Sequence, residues 1–480
     1  MFKRILCFAL FLLPVNLLAD QWSALHALLP KGTQLSYLVL DPANNQLLAE
    51  SNAEILRTPA SLQKLLTATA AKLYLGENFR YQTTLEGNKS HIKNNHYQGD
   101  IRLRFVGDPT LSRADIKEML TSFKALGVKQ IRGDLLINAA HFSGYQWSDG
   151  QAWNDLGVCY TSPSNAIIVN RNCVLGNLSV VSADAKKARL FIPSYEPVEI
   201  SSNVDVVTSA QRDEQFCALK MTRNSDNRYH LWGCMVPRNR PFGLAFSVND
   251  PFAYASQIIE SELKNVGIKL TGKVKIEQIK TAKKVSQVLV KYQSPELGKL
   301  LEIMLKDSDN LIADSLFKTL GAAYFQQDGN FLNGAKALKL ILQENGVDLE
   351  NAYLADGSGL SRHNLMSAKL FMTVLKYVYQ NDAKLNLLDS FSIAGVDGTL
   401  HYHKGVAGPL LKGNIVAKTG SMKGVANLLG IVKTARGERL FALIINGYNW
   451  PETDLTKATK SPVVIFEHAF FETIIKSSRK

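Results

Sequence analysis

At 480 residues, 46% hydrophobic and 20% charged, the chain is folded and too long for one ordinary domain, which excludes the disordered and fibrous classes. Its formal charge is +13, and the lysines and arginines are spread along the chain, so the excess reads as a generally basic surface and not as a nucleic-acid-binding arm. Such a surface suits loose association with a membrane or an anionic wall polymer.

In chain order, Lys3 and Arg4 precede an apolar run from Ile5 to Ala19. The run is short for a membrane-spanning helix and has the layout of a secretory signal over residues 1–19, cleaved after Ala19, which predicts a periplasmic destination. Removing Lys3 and Arg4 leaves 13 − 2 = +11, and export makes nucleic acid an unsuitable partner. Cys7 leaves with the signal. Cys159, Cys173, Cys217 and Cys234 remain, an even set in an oxidising compartment; of three possible pairings the short spacings favour Cys159 with Cys173 and Cys217 with Cys234. No pair has Cys-x-x-Cys spacing, and the alternation His401-Tyr402-His403 lacks a third ligand, so no metal is expected.

Residues 34–50 give two apolar runs about Asp-Pro-Ala-Asn-Asn, a predicted hairpin, and "NLLGIVKTARGERLFALIING" repeats the pattern near the other end. The stretch from about 296 to 380 is helical in period, and "SPVVIFEHAFFETIIK" predicts a helix packed on a sheet. Between these lie many short strand-like runs and all four remaining cysteines. The expected organisation is α/β (α+β): one domain from residues 20–85 and 285–480, with a β-rich insertion at 86–284 holding two disulfides.

"TPASLQKLL" places Pro59, Ser61 and Lys64 at a predicted helix start. Residues three apart share a helix face, so the Ser61 hydroxyl and Lys64 amine are within reach. The amine can take the serine's proton only if its pKa falls from about 10.4 toward neutrality. Ser-x-x-Lys also occurs at Ser90, Ser261, Ser315 and Ser477. Ser90 lies in a polar loop and Ser477 in the tail, while Ser261 and Ser315 lie inside helices whose neighbouring lysines are expected to face solvent. "KDSDNLIAD" adds Ser308 and Asn310 on a loop between apolar helices, and "VAKTGSMKG" adds Lys418, Thr419, Gly420 and Ser421 at a strand end. Ser-x-Asn recurs at Ser201, Ser225 and Ser247, whereas Lys-Thr-Gly occurs once.

The order Ser-x-x-Lys, Ser-x-Asn, Lys-Thr-Gly is the three-motif set of penicillin-binding proteins and serine β-lactamases. The separation from Ser61 to Ser308, 308 − 61 = 247 residues, resembles the D-alanyl-D-alanine carboxypeptidase/endopeptidases of the penicillin-binding protein 4 type. "FVGDPTL" at 105–111, "WNDLGVCY" at 153–160, "DGSGLSRHN" at 356–364 and "DGTL" at 397–400 carry the same resemblance over essentially the whole chain after the signal. It implies a transpeptidase/β-lactamase-like domain with a large insertion. It further implies a serine D,D-peptidase with no cofactor, acting on peptidoglycan stem peptides and inhibited covalently by β-lactam antibiotics.

Carried over by position, Ser61 is the nucleophile and Lys64 the base. Ser308 and Asn310 complete the proton path, and Lys418 and Thr419 bind the terminal carboxylate. The backbone amides of Ser61 and Ser421 form the oxyanion hole beside Gly420. Asp155 and Arg362 are candidate partners for the charged end of the stem peptide's diamino acid, against bland readings as a loop cap and a surface ion pair. The rival functions are a serine β-lactamase, which differs in how fast water clears the acyl-enzyme, and a non-catalytic wall-binding protein on the same fold.

Overall fold

The computed structural model describes residues 22–182, 184–277, 287–449 and 461–477. The expected signal at 1–19 lies outside the described residues. The chain divides into two compact units, one of Met1–Arg57, Ser367–Lys376 and Phe391–Lys480, the other of Thr58–Met366 and Tyr377–Ser390.

In the first unit the two ends of the chain share one antiparallel sheet. Its six strands run in the order Gln46–Ser51, Gln34–Asp41, Gly437–Asn446, Val425–Thr434, Ile415–Met422, Ser392–Ile393. Gln34 stands opposite Asn446, and Val425 opposite the same residue on the other side. Both expected hairpins are present. The alternating apolar residues Tyr37, Leu428, Val432 and Phe441 form one core with Phe466, Phe470, Phe471 and Ile474 of the helix Pro462–Ser477. That helix therefore packs on the sheet as its sequence predicts. Phe471 meets Phe441 edge to face at 4.9 Å, and each buried phenyl contributes about 1.5–3 kcal/mol.

The second unit holds the helices that carry Ser61 and Asn310. A short 3-10 turn, Ala60–Leu62, runs into the helix Gln63–Tyr74. Its residues Gln63 to Lys72 are all buried, and the small run Thr67–Ala71 lets the helices Leu297–Lys306, Asn310–Phe325 and Phe331–Glu344 pack close. The rest of the unit is β-rich. A five-stranded sheet orders Val274–Ile276, Leu135–Asn138, Ile101–Arg104, Gln82–Gly87 and Gln287–Gln293, and smaller sheets follow. A distinct hydrophobic core runs through this region from Leu85 to Ile268 and includes Phe123, Ile131, Tyr254 and Ile259. The helix Arg113–Ala125 starts on a capping box in which Ser112 and Asp115 exchange hydrogen bonds.

Cys159 is bonded to Cys173, and Cys217 to Cys234. The second bridge brackets the hairpin of Lys220–Arg223 and Arg228–Trp232, whose turn holds the Ser225-Asp226-Asn227 copy of the Ser-x-Asn pattern. Asn227 spends its side-chain oxygen on the backbone N–H of Asn249 and Asp250. Replacing Cys217 and Cys234 together by alanine frees a 17-residue separation in the unfolded chain and should cost about 3 kcal/mol on the loop-entropy model. Chemical denaturation beside the wild type measures this; coincident midpoints would refute it.

Candidate active site

Three of the four other copies of Ser-x-x-Lys lie wholly within the described residues and are told apart by their surroundings. Ser90 donates to the side chain of Asn88 on the surface, and Lys264, three residues after Ser261, is exposed. Lys318, three after Ser315, corrects the expectation of a solvent-facing lysine: it is buried. The helix Asn310–Phe325 is buried from Leu311 through Ala322 and offers no wet face there. The Lys318 amine is taken up by the backbone carbonyls of Tyr145 (2.8 Å) and Ser164 (2.5 Å).

At Ser61 the arrangement differs. Lys64 Nζ lies 2.8 Å from Ser61 Oγ, 2.6 Å from Asn310 Oδ1 and 2.7 Å from the Ser358 carbonyl oxygen. Lys64 is fully buried, whereas Ser61, Ser308 and Asn310 are half-buried and open to a reactant. Burial drives the Lys64 pKa down, opposed by the charges of Asp314, Asp356 and Asp309. A charged amine spends three N–H on these three oxygens. A neutral one keeps two N–H for the two carbonyl oxygens, which can only accept, and turns its lone pair to the one partner of the three with a proton to give, the Ser61 hydroxyl.

Asn310 is the first residue of its helix and not part of the loop before it. Asp309 caps that helix by accepting from Ile312 N, and Arg171 pairs with the same carboxylate. The Asn310 amide thereby reaches both ways: its oxygen faces Lys64 and its nitrogen donates to the Tyr160 carbonyl at 2.8 Å. Ser308 sits in the left-handed region at φ 59° and Ala60, just before Ser61, at φ 48°. Non-glycine residues held this way cost roughly 1–3 kcal/mol each and persist where surrounding structure over-determines them.

The Ser358 carbonyl is fixed by two carboxylates that sequence reading passed over. Asp314 Oδ1 accepts from the backbone N–H of Gly357 (3.0 Å) and Ser358 (2.9 Å). Asp356 accepts from Gly359 N, Ser361 N, Asn364 Nδ2 and Ser148 Oγ. Burial and the Asp356 charge push the Asp314 carboxyl up. A signal existed: an aspartate inside the apolar run "NLIADSLF", four residues after Asn310, is a charge in a helix that must be buried.

The Asp155 carboxylate lies beside the Tyr160 phenol, which burial and that carboxylate push up to about 12. Arg362 is exposed, and its backbone N–H donates to the Gly150 carbonyl. Asp155 and Arg362 thus ride on two segments that are stitched together by Ser148 Oγ to Asp356 and by Ser361 Oγ to the Asp149 carbonyl.

Lys418, Thr419, Gly420 and Ser421 lie on the strand Ile415–Met422 of the other unit. Lys418 is wholly buried and Ser421 exposed. Thr419 Oγ1 donates to Thr399 Oγ1 at 2.9 Å, and Thr399 N donates to Ser392 Oγ, so the "DGTL" turn braces the Lys-Thr-Gly strand. His403 is engaged by Glu467 at 2.8 Å, and no group of residues suited to a metal ion occurs among the described residues.

The model of the D-Ala-D-Ala carboxypeptidase 3 (S13) family matches residues 21–470. The D-alanyl-D-alanine carboxypeptidase DacB of Haemophilus influenzae is 38% identical over 449 residues, 93% of this chain and 92% of that one. The crystal structure of penicillin binding protein 4 from the same organism superposes with a TM-score of 0.88 at 38% identity, covering 94% of this chain and 99% of that one. Its complex with a β-lactam superposes at 0.83, 37% identical, with the same coverage.

Gly359 tests the geometry around Ser61. Its φ is +85°, and a Cβ there would stand 1.9 Å from the Ala60 carbonyl oxygen. Gly359→Ala should lower stability by more than about 1 kcal/mol, because alanine resists that backbone region, and should slow labelling of Ser61 by a small acylating reagent. Thermal unfolding and a labelling time course read the two effects, and wild-type behaviour in both would show that the close approach is not needed.

Proposed function

Because the chain belongs to the D-Ala-D-Ala carboxypeptidase 3 (S13) family, whose members are serine peptidases, we propose that it is a serine-type D-alanyl-D-alanine carboxypeptidase and D,D-endopeptidase of peptidoglycan, acylated on Ser61. The observation that carries the reading is the Lys64 amine, buried and held 2.8 Å from the Ser61 hydroxyl by two oxygens that cannot give it a proton.

Neutral Lys64 takes the Ser61 proton as Oγ attacks the carbonyl carbon between the two D-residues. The C–N bond breaks, the proton passes by way of the Ser308 hydroxyl to the departing amine, and an ester remains on Ser61. Water then enters and gives a proton to the base, now neutral again, as its oxygen bonds to the ester carbon; the C–Oγ bond breaks, the proton returns to Ser61 Oγ, and the shortened peptide is freed. Cleavage releases D-alanine when the leaving residue is terminal and opens a cross-link when it belongs to a second stem. A β-lactam offers the same carbonyl with its amine tethered in a ring, so the leaving group stays and the adduct lasts.

Lys418 and Thr419 are assigned to the substrate's terminal carboxylate, Gly420 to close passage of the substrate along the strand, and the Ser61 and Ser421 amides to the oxyanion. Asp155 and Arg362 are assigned to the charged end of the diamino acid. Support for the last pair is their placement on stitched segments beside Tyr160, whose carbonyl holds Asn310. Residues 86–284 are read as an insertion, supported by their separate hydrophobic core and two disulfides. Export to the periplasm rests on the sequence of residues 1–19; among the described residues no helix is long and apolar enough to cross a membrane. The basic surface favours loose attachment to the wall or membrane.

Ser61→Ala should abolish D-alanine release from a pentapeptide and the long-lived adduct with a labelled penicillin; unchanged release, or rapid penicillin turnover by the wild type, would overturn the assignment. Lys64→Met should slow acylation by about 10²–10⁴-fold, the usual range for removing a general base. The pH dependence carries a sign: only the neutral amine accepts a proton, so the acylation rate should climb as pH rises through the Lys64 pKa. Burial sets that limb below the ordinary lysine value of about 10.4. A limb lying at the ordinary value would exclude Lys64 as the base.

A further inference from the structure

We infer that Lys318 is a positioning residue of this site: its buried amine clasps the base of the segment 145–164, and so holds in place the loop that presents Asp155 and the Tyr160 carbonyl. The inference rests on the D,D-peptidase reading for its substrate readout and on geometry alone for its structural one.

The helix Asn310–Phe325 carries three polar residues at four-residue spacing along one line: Asn310, Asp314 and Lys318. The first touches Lys64 and the second fixes the 357–358 backbone. Lys318 lies one turn further along, where its charge and that of Asp314 attract each other. Its Nζ donates to the carbonyls of Tyr145 and Ser164, the two ends of one surface excursion. The ends are tied again by Ser164 N to the Gln146 carbonyl and by Asn165 Nδ2 to Gln146 Oε1. The ammonium also stands 4.2 Å over the Phe331 ring, whose face favours a cation.

A buried lysine is costly unless its charge is matched by fixed dipoles. Lysine is nevertheless well suited here, because one compact amine can donate to two carbonyls that converge on a point. The excursion it closes contains no α-helix or strand, only the short turns Trp153–Asp155 and Cys159–Thr161. Without regular hydrogen-bond ladders, such a loop depends on its side-chain anchors for order. The loop's anchors are spread along it: the Cys159–Cys173 bridge, Ser148 to Asp356, Trp147 Nε1 to the Thr161 carbonyl, Ser361 Oγ to the Asp149 carbonyl, Arg362 N to the Gly150 carbonyl, Asn310 Nδ2 to the Tyr160 carbonyl, and Lys318 beneath. Lys318 takes a carbonyl from each end, Tyr145 and Ser164, with one buried atom. The Tyr160 carbonyl in turn sets the Asn310 amide, and the Asp155 carboxylate stands beside the Tyr160 ring. Loosening the base therefore blurs the substrate side of the site while Ser61 and Lys64 stay on their own helix.

The test is Lys318→Met, close in shape and without the charge or donors. Hydrogen exchange should speed up at least tenfold in peptides from 146–162 and stay unchanged in the helix Gln63–Tyr74. The kcat/KM for a stem pentapeptide should fall at least tenfold further than the second-order rate of acylation by a penicillin, since the small probe needs the loop less. If Lys318→Met does not fold, Lys318→Arg keeps the charge but cannot bring two donors to both carbonyls from one point, and is read the same way. Wild-type exchange in 146–162, or equal falls for peptide and penicillin, would overturn the clasp. A wild-type enzyme that failed to cleave the pentapeptide would instead overturn the peptidase reading, leaving the exchange result to judge the clasp by itself.

Discussion

The site depends on one burial. An amine removed from water beside a serine hydroxyl is pushed toward its neutral form, and the three oxygens around Lys64 decide which atom its lone pair then meets. Two of those oxygens belong to carbonyl groups, one on the side chain of Asn310 and one on the backbone of Ser358. Neither can supply a proton, so the pairing with Ser61 is selective by chemistry as well as by distance. The charges of Asp314, Asp356 and Asp309 oppose the effect of burial, which keeps the amine from losing its proton too readily and leaves it able to return one.

Much of the second unit can be understood as what keeps that amine dry and those two carbonyls still. The helix Gln63–Tyr74 is sheathed from Gln63 to Lys72, and its small residues permit the close approach of its neighbours. Asp314 and Asp356 accept between them from five backbone or side-chain N–H groups of the 357–364 turn. Each buried carboxylate is expensive in isolation and tolerable only with donors of this number and geometry. The left-handed backbone at Ala60 and Ser308 follows the same rule, because such strain at non-glycine residues persists only where packing enforces it.

The insertion-like region has its own core and bridges, and it also supplies groups to the site. Tyr160 lends a carbonyl to Asn310, and Ser148 lends a hydroxyl to Asp356. The Ser61–Lys64 pair and the loop 145–164 are thereby joined from different stretches of sequence that meet through backbone groups, which is why residue types alone say little about that loop.

What the sequence determined by itself is considerable. Periodicity marked both hairpins, the helical stretch after 296 and the final helix, because amphipathic repeats are local. Three motifs in fixed order singled out Ser61 as the proposed nucleophile among five equal spacings, and cysteine spacing matched the bridges Cys159–Cys173 and Cys217–Cys234. Tertiary structure alone decided the rest. Spacing could not show that Lys318 is buried, because burial of a helix face depends on which other helices cover it. Nor could it show Asp314 and Asp356 converging on one turn from positions 314 and 356, since that contact exists only after the chain has closed on itself. The dryness of Lys64, on which its proposed role as base rests, is likewise a property of its packed neighbours and not of the residue.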